Sequence, residues 1–148
     1  VVDAISGLAA DPLPQDEWGV DVVVSGSQKA LMLPPGLAFL SASAKAWNLN
    51  QTAKCPRFYF DLALYKKALA DSDTPFTPAL TLVIALEETL RLILSKGLSK
   101  QLAETAQLAE ATRAAVRAIK LDLFAKARTK QMWFEKYQGL LSCKEGRR

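Results

Sequence analysis

One lysine stands in a setting that suits covalent chemistry. Lys29 follows the apolar run Val20–Val24 and comes directly after the small polar stretch Ser25-Gly26-Ser27-Gln28. In α/β folds, reactive groups lie where a strand ends and a turn begins. Asp3 follows an apolar pair of its own, so we expect the two side chains at the ends of neighbouring strands. Pyridoxal phosphate chemistry requires this pairing, because a lysine amine forms a Schiff base with the aldehyde and a carboxylate keeps the pyridine nitrogen protonated.

Each of these residues also has an ordinary interpretation. Lys29 could be a solvated surface lysine, and Asp3 could end a strand without further function. Gln28 and the turn serines offer side-chain and backbone donors to a phosphate group. Serines in a turn also cap backbone groups without binding anything. The residues around Lys29 therefore leave both a cofactor site and a plain turn open.

The strands that would carry these residues follow from the apolar runs and the prolines. Val20–Val24 reads as a buried strand, and Val1–Asp3 reads as the end of another. Pro34-Pro35-Gly36 breaks the chain, and Leu37–Ser41 is predicted as a further strand. Lys29 is thus expected in the turn between two strands.

Helices are predicted for most of the remaining chain. Ala42–Asn48 is a short helix candidate with Ser41 or Ser43 as its N-cap, and Phe60–Leu69 has the composition of another helix. A long amphipathic helix is predicted from Leu98 to Ile119, because apolar residues recur there at helical spacing.

Thr77-Pro78 predicts the start of another helix, with threonine as the N-cap and proline at the first helical position. Lys96-Gly97 is its expected end. A helix N-terminus carries partial positive charge and free N–H groups, which suit a phosphate. Thr77 is therefore a candidate phosphate ligand, and a plain N-cap is the alternative.

The composition excludes several classes of site. The chain of 148 residues contains no histidine, which removes Ser-His-Asp triads, histidine-ligated zinc and histidine-ligated haem from it. Its two cysteines, Cys55 and Cys143, form no C-x-x-C motif, and so few thiols favour a reducing compartment. No apolar run reaches the ~18 residues of a membrane span. We therefore expect a soluble, cytoplasmic protein that binds neither membrane nor nucleic acid.

The net charge of +4 belongs to the end of the chain. Residues 126–148 carry seven basic and two acidic residues, whereas residues 1–125 carry twelve basic and thirteen acidic ones. The basic character is therefore a property of a tail rather than of the body.

Several motifs together resemble the class V pyridoxal-phosphate-dependent aminotransferases, with the alanine/serine–glyoxylate aminotransferases as the most similar branch. The resemblance covers residues 1–125. The segments that carry it are Val-Val-Asp-Ala-Ile-Ser-Gly-Leu (1–8), Gly-Val-Asp-Val-Val-Val-Ser-Gly-Ser-Gln-Lys-Ala-Leu (19–31), Pro-Pro-Gly (34–36), Cys-Pro-Arg-Phe-Tyr-Phe-Asp (55–61), Thr-Pro-Phe-Thr-Pro-Ala (74–79) and Leu-Ala-Glu-Ala-Thr-Arg-Ala (108–114). Some cyanobacterial relatives of this branch carry the name of a soluble hydrogenase subunit.

The resemblance implies an α/β fold of the pyridoxal-phosphate-dependent transferase type I. It implies that Lys29 and Asp3 are catalytic, that Ile5 lies against the cofactor ring, that Gln28 binds the phosphate, and that Thr77 reaches the phosphate of a neighbouring subunit. A homodimer that takes small amino acids and 2-oxo acids is expected.

The resemblance also predicts how the chain is divided. Residues 1–78 would be the C-terminal part of the cofactor-binding large domain, residues 79–125 long helices that lead into a small C-terminal domain, and residues 126–148 a divergent basic tail. The chain begins with Val rather than Met, and we expect a fragment that is inactive alone.

Two other functions compete with an aminotransferase. A helical interaction module could dimerise through the long helices or bind anions with the tail. Hydrogenase chemistry is disfavoured, because nickel–iron and iron–sulfur centres need several thiolates and Cys55 and Cys143 are far apart in the sequence.

Overall fold

The computed structural model describes residues 1–123, and these form three strands followed by four helices. The strands are β1 (Val2–Asp3), β2 (Val22–Gly26) and β3 (Ala38–Ala42). The helices are α1 (Ala44–Thr52), α2 (Leu62–Ala70), α3 (Leu80–Lys96) and α4 (Leu98–Ala118).

The three strands make one sheet in the order β1-β2-β3. β1 runs parallel to β2, with Asp3 opposite Val24, and β3 runs antiparallel to β2. Ala4, Val20 and Val23 form the buried core beside the sheet, with Val2, Leu8 and Leu13 packed against it. The valines at 22–24 thus form a strand, as their pattern predicts, since β-branched residues favour a half-buried pleated surface.

The second strand starts and ends later than the sequence predicts. Val20 is buried, but it precedes β2, and its amide donates to the Gln15 carbonyl after the turn at 15–19. Ser25 and Gly26 extend the strand because they pair with Phe39 and Ala38 of β3. The strand therefore ends at Gly26, directly before Ser27, so the turn that carries Lys29 is shorter than the sequence predicts.

One serine and one ion pair connect the start of α1 to Asp21, the residue before β2. Ser43 is the N-cap of α1, as one of the two predicted candidates, and its hydroxyl accepts from the Ala46 amide. The same hydroxyl donates to Asp21 Oδ1 at 2.9 Å, and Lys45 Nζ lies 2.9 Å from Asp21 Oδ2. Lys45 first, and Ser43 second, hold the pKa of Asp21 below its usual value of 3.8, because both favour the ionised carboxylate.

The prediction that Thr77 caps α3 is wrong. The N-cap of α3 is Ala79, which has no side chain to cap it, and the helix starts at Leu80. Pro78 therefore precedes the helix, and its carbonyl accepts from the Leu80 amide in a turn that leads into it. Gly97 does end α3 as predicted, and its φ of 89° explains why glycine stands there.

The described chain divides into two compact units, Val1–Ala106 and a second that begins at Gln107. None of the helices within residues 1–123 combines the length and the apolar character needed to cross a membrane. The basic tail at 126–148 and Cys143 lie outside the described residues.

Candidate active site

Asp3 ends β1 with its carboxylate held by the backbone beside it. The Ile5 amide donates to Asp3 Oδ1 at 2.9 Å, the contact of an Asx turn. Within residues 1–123, Oδ2 of Asp3 makes no hydrogen bond or ion pair, and the residue is exposed. One oxygen therefore fixes the orientation of the carboxylate, and the other is available to a ligand.

A buried serine fastens the end of β1 to β2. Ser25 donates from its hydroxyl to the Ala4 carbonyl at 3.1 Å, and the Ala4 amide donates to the Val24 carbonyl at 2.8 Å. Ala4 follows Asp3 directly, so these two bonds fix the position of Asp3 relative to the strand that leads to Lys29. The carboxyl ends of parallel strands meet at one edge of a sheet, and this edge carries both candidate catalytic residues.

Lys29 lies in the turn that follows β2. Its carbonyl accepts from the Met32 amide at 2.9 Å, and Met32 has a φ of 60°. Such a φ is uncommon for a residue other than glycine, so the backbone after Lys29 is strained. The amine of Lys29 is exposed and makes no hydrogen bond or ion pair within the described part of the chain.

The loop that presents Lys29 is closed by Ser27. The Ser27 hydroxyl donates to the Pro34 carbonyl at 2.7 Å and accepts from the Leu37 amide at 3.2 Å. Its backbone amide donates to the Leu37 carbonyl at 3.1 Å, and its carbonyl accepts from the Leu33 amide at 3.2 Å. Ser27 has an exposed fraction of 0%, and it joins the two ends of the loop at their base.

Gln28 folds back over the end of β2. A Cβ added to Gly26 would lie 2.9 Å from Gln28 Oε1, at the end of the glutamine side chain, so the amide lies close to Gly26. Real Cβ atoms do not approach other heavy atoms so closely. Gly26 therefore lets the Gln28 amide lie against the backbone of the turn, beside Lys29.

The first turn of α3 lies against the far side of the same loop. A Cβ added to Gly36 would stand 2.5 Å from Leu82 Cδ1. Gly36 also has a φ of 147°, a conformation that side chains with a Cβ rarely adopt. The backbone conformation thus favours glycine at this position, and the end of the Leu82 side chain fills the space beside it.

The structure places some of the predicted site residues together. Asp3 and the turn with Gln28 and Lys29 share one edge of the sheet, and Ile5 is half-buried in the turn directly after β1. Thr77 is exposed in the segment before α3, and within residues 1–123 no hydrogen bond or ion pair joins it to the Lys29 turn.

Sequence reasoning did not identify Ser27 and Gly36 as residues that shape the site. In the sequence Ser27 is one of two similar turn serines, and Gly36 indicates only a break in the chain after two prolines. The signal in the sequence is the small residue on either side of Lys29. The residues that Ser27 and Gly36 contact lie further along the chain, so this spacing alone does not reveal them.

The donor set of this edge fits pyridoxal phosphate. A carboxylate oxygen and a primary amine, both without protein partners in the described residues, stand at the ends of adjacent parallel strands. The cofactor needs such a carboxylate for its ring nitrogen and such an amine for its aldehyde. The Gln28 amide lies close to Gly26 at the end of β2, and it can donate to an anionic group.

Comparisons with known proteins agree with this chemistry. The family model described as aminotransferase class-V matches residues 1–134, and so continues beyond residue 125, where the motifs end. The chain is 49% identical over 125 residues to the soluble hydrogenase small subunit of Synechococcus sp., covering 84% of this chain and 33% of that protein. It is 42% identical over 119 residues to the serine–glyoxylate aminotransferase of Arabidopsis thaliana, covering 80% of this chain and 30% of that protein.

A solved structure supports the fold. The alanine–glyoxylate aminotransferase of Nostoc sp. superposes with a TM-score of 0.80 at 30% sequence identity, over 84% of this chain and 34% of that one. The chain spans about a third of the length of the curated relatives that it matches. The described residues are therefore part of an α/β domain of the pyridoxal-phosphate-dependent transferase type I.

Proposed function

The chain belongs to the class V aminotransferase family, and on that premise we propose that its protein transfers an amino group from alanine or serine to glyoxylate. Membership of this family implies pyridoxal phosphate as the cofactor. One observation carries the proposal: Asp3 and the Lys29 turn stand at the carboxyl ends of two adjacent parallel strands. Glyoxylate as acceptor, with serine or alanine as donor, agrees with the names of two similar proteins.

Each residue then has a task at a stated atom. When bound, pyridoxal phosphate withdraws electrons from the substrate carbon that loses its proton. Lys29 Nζ would hold the cofactor through its aldehyde group, and the free amine would serve as the base that moves the α-proton of the substrate. Asp3 Oδ2 holds the proton on the pyridine nitrogen. The Asx turn fixes the orientation of Oδ2, because Oδ1 of the same carboxylate accepts from the Ile5 amide.

The remaining predicted ligands complete the proposed site. The Gln28 amide would hold the phosphate as a donor, and the Ile5 side chain would pack against the ring. Thr77 reaches the phosphate of a second subunit, which its exposure allows. We also propose the division of the chain into a part of the cofactor-binding large domain (residues 1–78), long helices that lead into a small domain (79–125) and a basic tail (126–148).

Reductive labelling tests the assignment of Lys29. We expect pyridoxal phosphate followed by borohydride to attach the label at Lys29, because its turn shares the edge of the sheet with the Asp3 carboxylate. Peptide mapping by mass spectrometry locates the label. Lys54 is the internal reference, since it is equally exposed but lies away from the sheet. Label spread evenly over the two lysines would contradict the proposal.

We further propose that the protein works as a homodimer in the cytoplasm, the compartment expected from its few cysteines. Apolar surface without a cover within the described residues supports the dimer. Phe58, Tyr59 and Phe60 are mostly exposed, and Phe76 lies 5.4 Å from the Phe58 ring and 4.8 Å from the Tyr59 ring. Ile93 is the buried residue of α3, whereas Leu94 beside it is 73% exposed. Surface of this kind favours association.

Light scattering tests the association. We expect the chain to self-associate both with and without residues 126–148, since the exposed aromatic residues lie in the body. The matched variant is Phe60→Lys, which adds charge at a side chain that is 81% exposed and so leaves the fold in place. It should weaken the association. A monodisperse monomer without the tail would show instead that the apolar surface needs no partner.

A further inference from the structure

Ser27 differs from the other polar residues of the site because all its hydrogen-bonding groups have partners. Its amide, its carbonyl and its hydroxyl all make hydrogen bonds, and every partner lies between Leu33 and Leu37. It is also the one residue with a fully buried side chain within residues 1–123. Buried hydroxyls need partners, and their loss leaves those partners unpaired.

The bonds of Ser27 determine where Lys29 stands. Lys29 is two residues after Ser27, and the loop returns to Ser27 through Pro34 and Leu37. Within the described residues the Lys29 amine has no partner of its own. Its position is therefore set by the backbone, and the backbone of this loop is held at Ser27.

We propose that Ser27 is the positioning residue of Lys29: its buried hydroxyl closes the loop 27–37 and so holds the lysine amine at the edge of the sheet beside Asp3. The hydroxyl touches neither substrate nor cofactor and acts through the backbone. This inference rests on the proposed role of Lys29 as the lysine that binds the cofactor.

The test uses Ser27→Ala with Ser43→Ala as its matched control. The Ser43 hydroxyl also donates one hydrogen bond, to Asp21, and accepts one from a backbone amide, that of Ala46. Both variants therefore lose a serine hydroxyl with the same number of bonds. Ser43 caps α1, and its bonds do not involve the loop that carries Lys29.

The first measurement is amide hydrogen exchange in the full chain without cofactor. Ser27→Ala should speed exchange at the Leu37 amide about tenfold, the effect expected for losing one buried hydrogen bond. Ser43→Ala should leave Leu37 unchanged and speed exchange at Ala46 instead. An unchanged rate at Leu37 in Ser27→Ala would show that the hydroxyl does not hold the loop.

The second measurement is the ratio of reductive pyridoxal phosphate labelling at Lys29 to that at Lys54. A merely structural serine would leave this ratio unchanged, but Ser27→Ala should lower it about tenfold, in line with the loss of one hydrogen bond. Ser43→Ala should keep the wild-type ratio. Should Ser27→Ala fail to fold, Ser27→Cys keeps a weak donor of similar size, and a smaller fall in the ratio is expected.

The outcomes separate this inference from the proposed function. A wild-type ratio near one would overturn the role of Lys29 itself. A high wild-type ratio that persists in both Ser27 variants would overturn the positioning role alone. Faster exchange at Leu37 together with a lower ratio supports it.

Discussion

Replacing Lys29 with alanine should abolish transamination and leave the fold intact. The loss should reach roughly 10²- to 10⁴-fold from proton transfer alone, and it should be larger in practice because the covalent attachment is lost as well. Stability should change little, since the Lys29 side chain is exposed and makes no hydrogen bond or ion pair with the described residues. Turnover of alanine or serine with glyoxylate in the full-length protein measures the effect.

Lys54→Ala is the control for this prediction. Both lysines are exposed, so both variants remove one surface charge from the chain. Lys54→Ala should keep wild-type turnover and a wild-type thermal midpoint. An active Lys29→Ala protein would mean that another amine binds the cofactor, and the assignment of the β2 turn as the catalytic turn would then be wrong.

Replacing Asp3 with asparagine should slow turnover severely while cofactor binding largely persists. The neutral amide oxygen can still accept from the Ile5 amide, so the Asx turn at the end of β1 is retained. The side chain loses the negative charge that keeps the pyridine nitrogen protonated. We expect turnover to fall roughly 10²- to 10⁴-fold, the range for losing one proton-holding group.

Two further variants make the Asp3 result specific. Asp11→Asn removes an exposed carboxylate outside the sheet and should leave turnover unchanged. Asp3→Ala loses both the charge and the turn, so it should weaken cofactor binding as well as turnover. Equal cofactor affinity in the alanine and asparagine variants would show that the Asx turn has no part in directing the carboxylate.

The sequence predicts this fold well where short-range patterns decide the structure. The valines of β2, the Ser43 cap of α1 and the Gly97 end of α3 all follow from residues within a few positions of one another. Asp3 and Lys29 are also expected at the ends of neighbouring strands, and the structure pairs β1 with β2, in parallel. The candidate residues could therefore be chosen from the sequence.

The long-range contacts of the site could not be predicted in the same way. Ser27 closes its loop through Leu37, and Gly36 lies against Leu82, a residue in a later helix. Such contacts depend on how elements pack, and local spacing does not encode them. Thr77 shows the converse, because a favourable local motif did not become a helix cap once Pro78 entered a turn before α3.

The hydrogen bonds of Ser27 constrain the length of its loop but not the chemical character of the side chains on it. Because Ser27 bonds to Leu33, Pro34 and Leu37 at once, an inserted or deleted residue between them would break the register of several bonds together. Side chains at the outside of the loop, such as those of Met32 and Pro35, are exposed and take no part in these bonds. In this chain the chemical character of the rim can therefore change without loss of these bonds, whereas the number of residues that return the chain to Ser27 cannot.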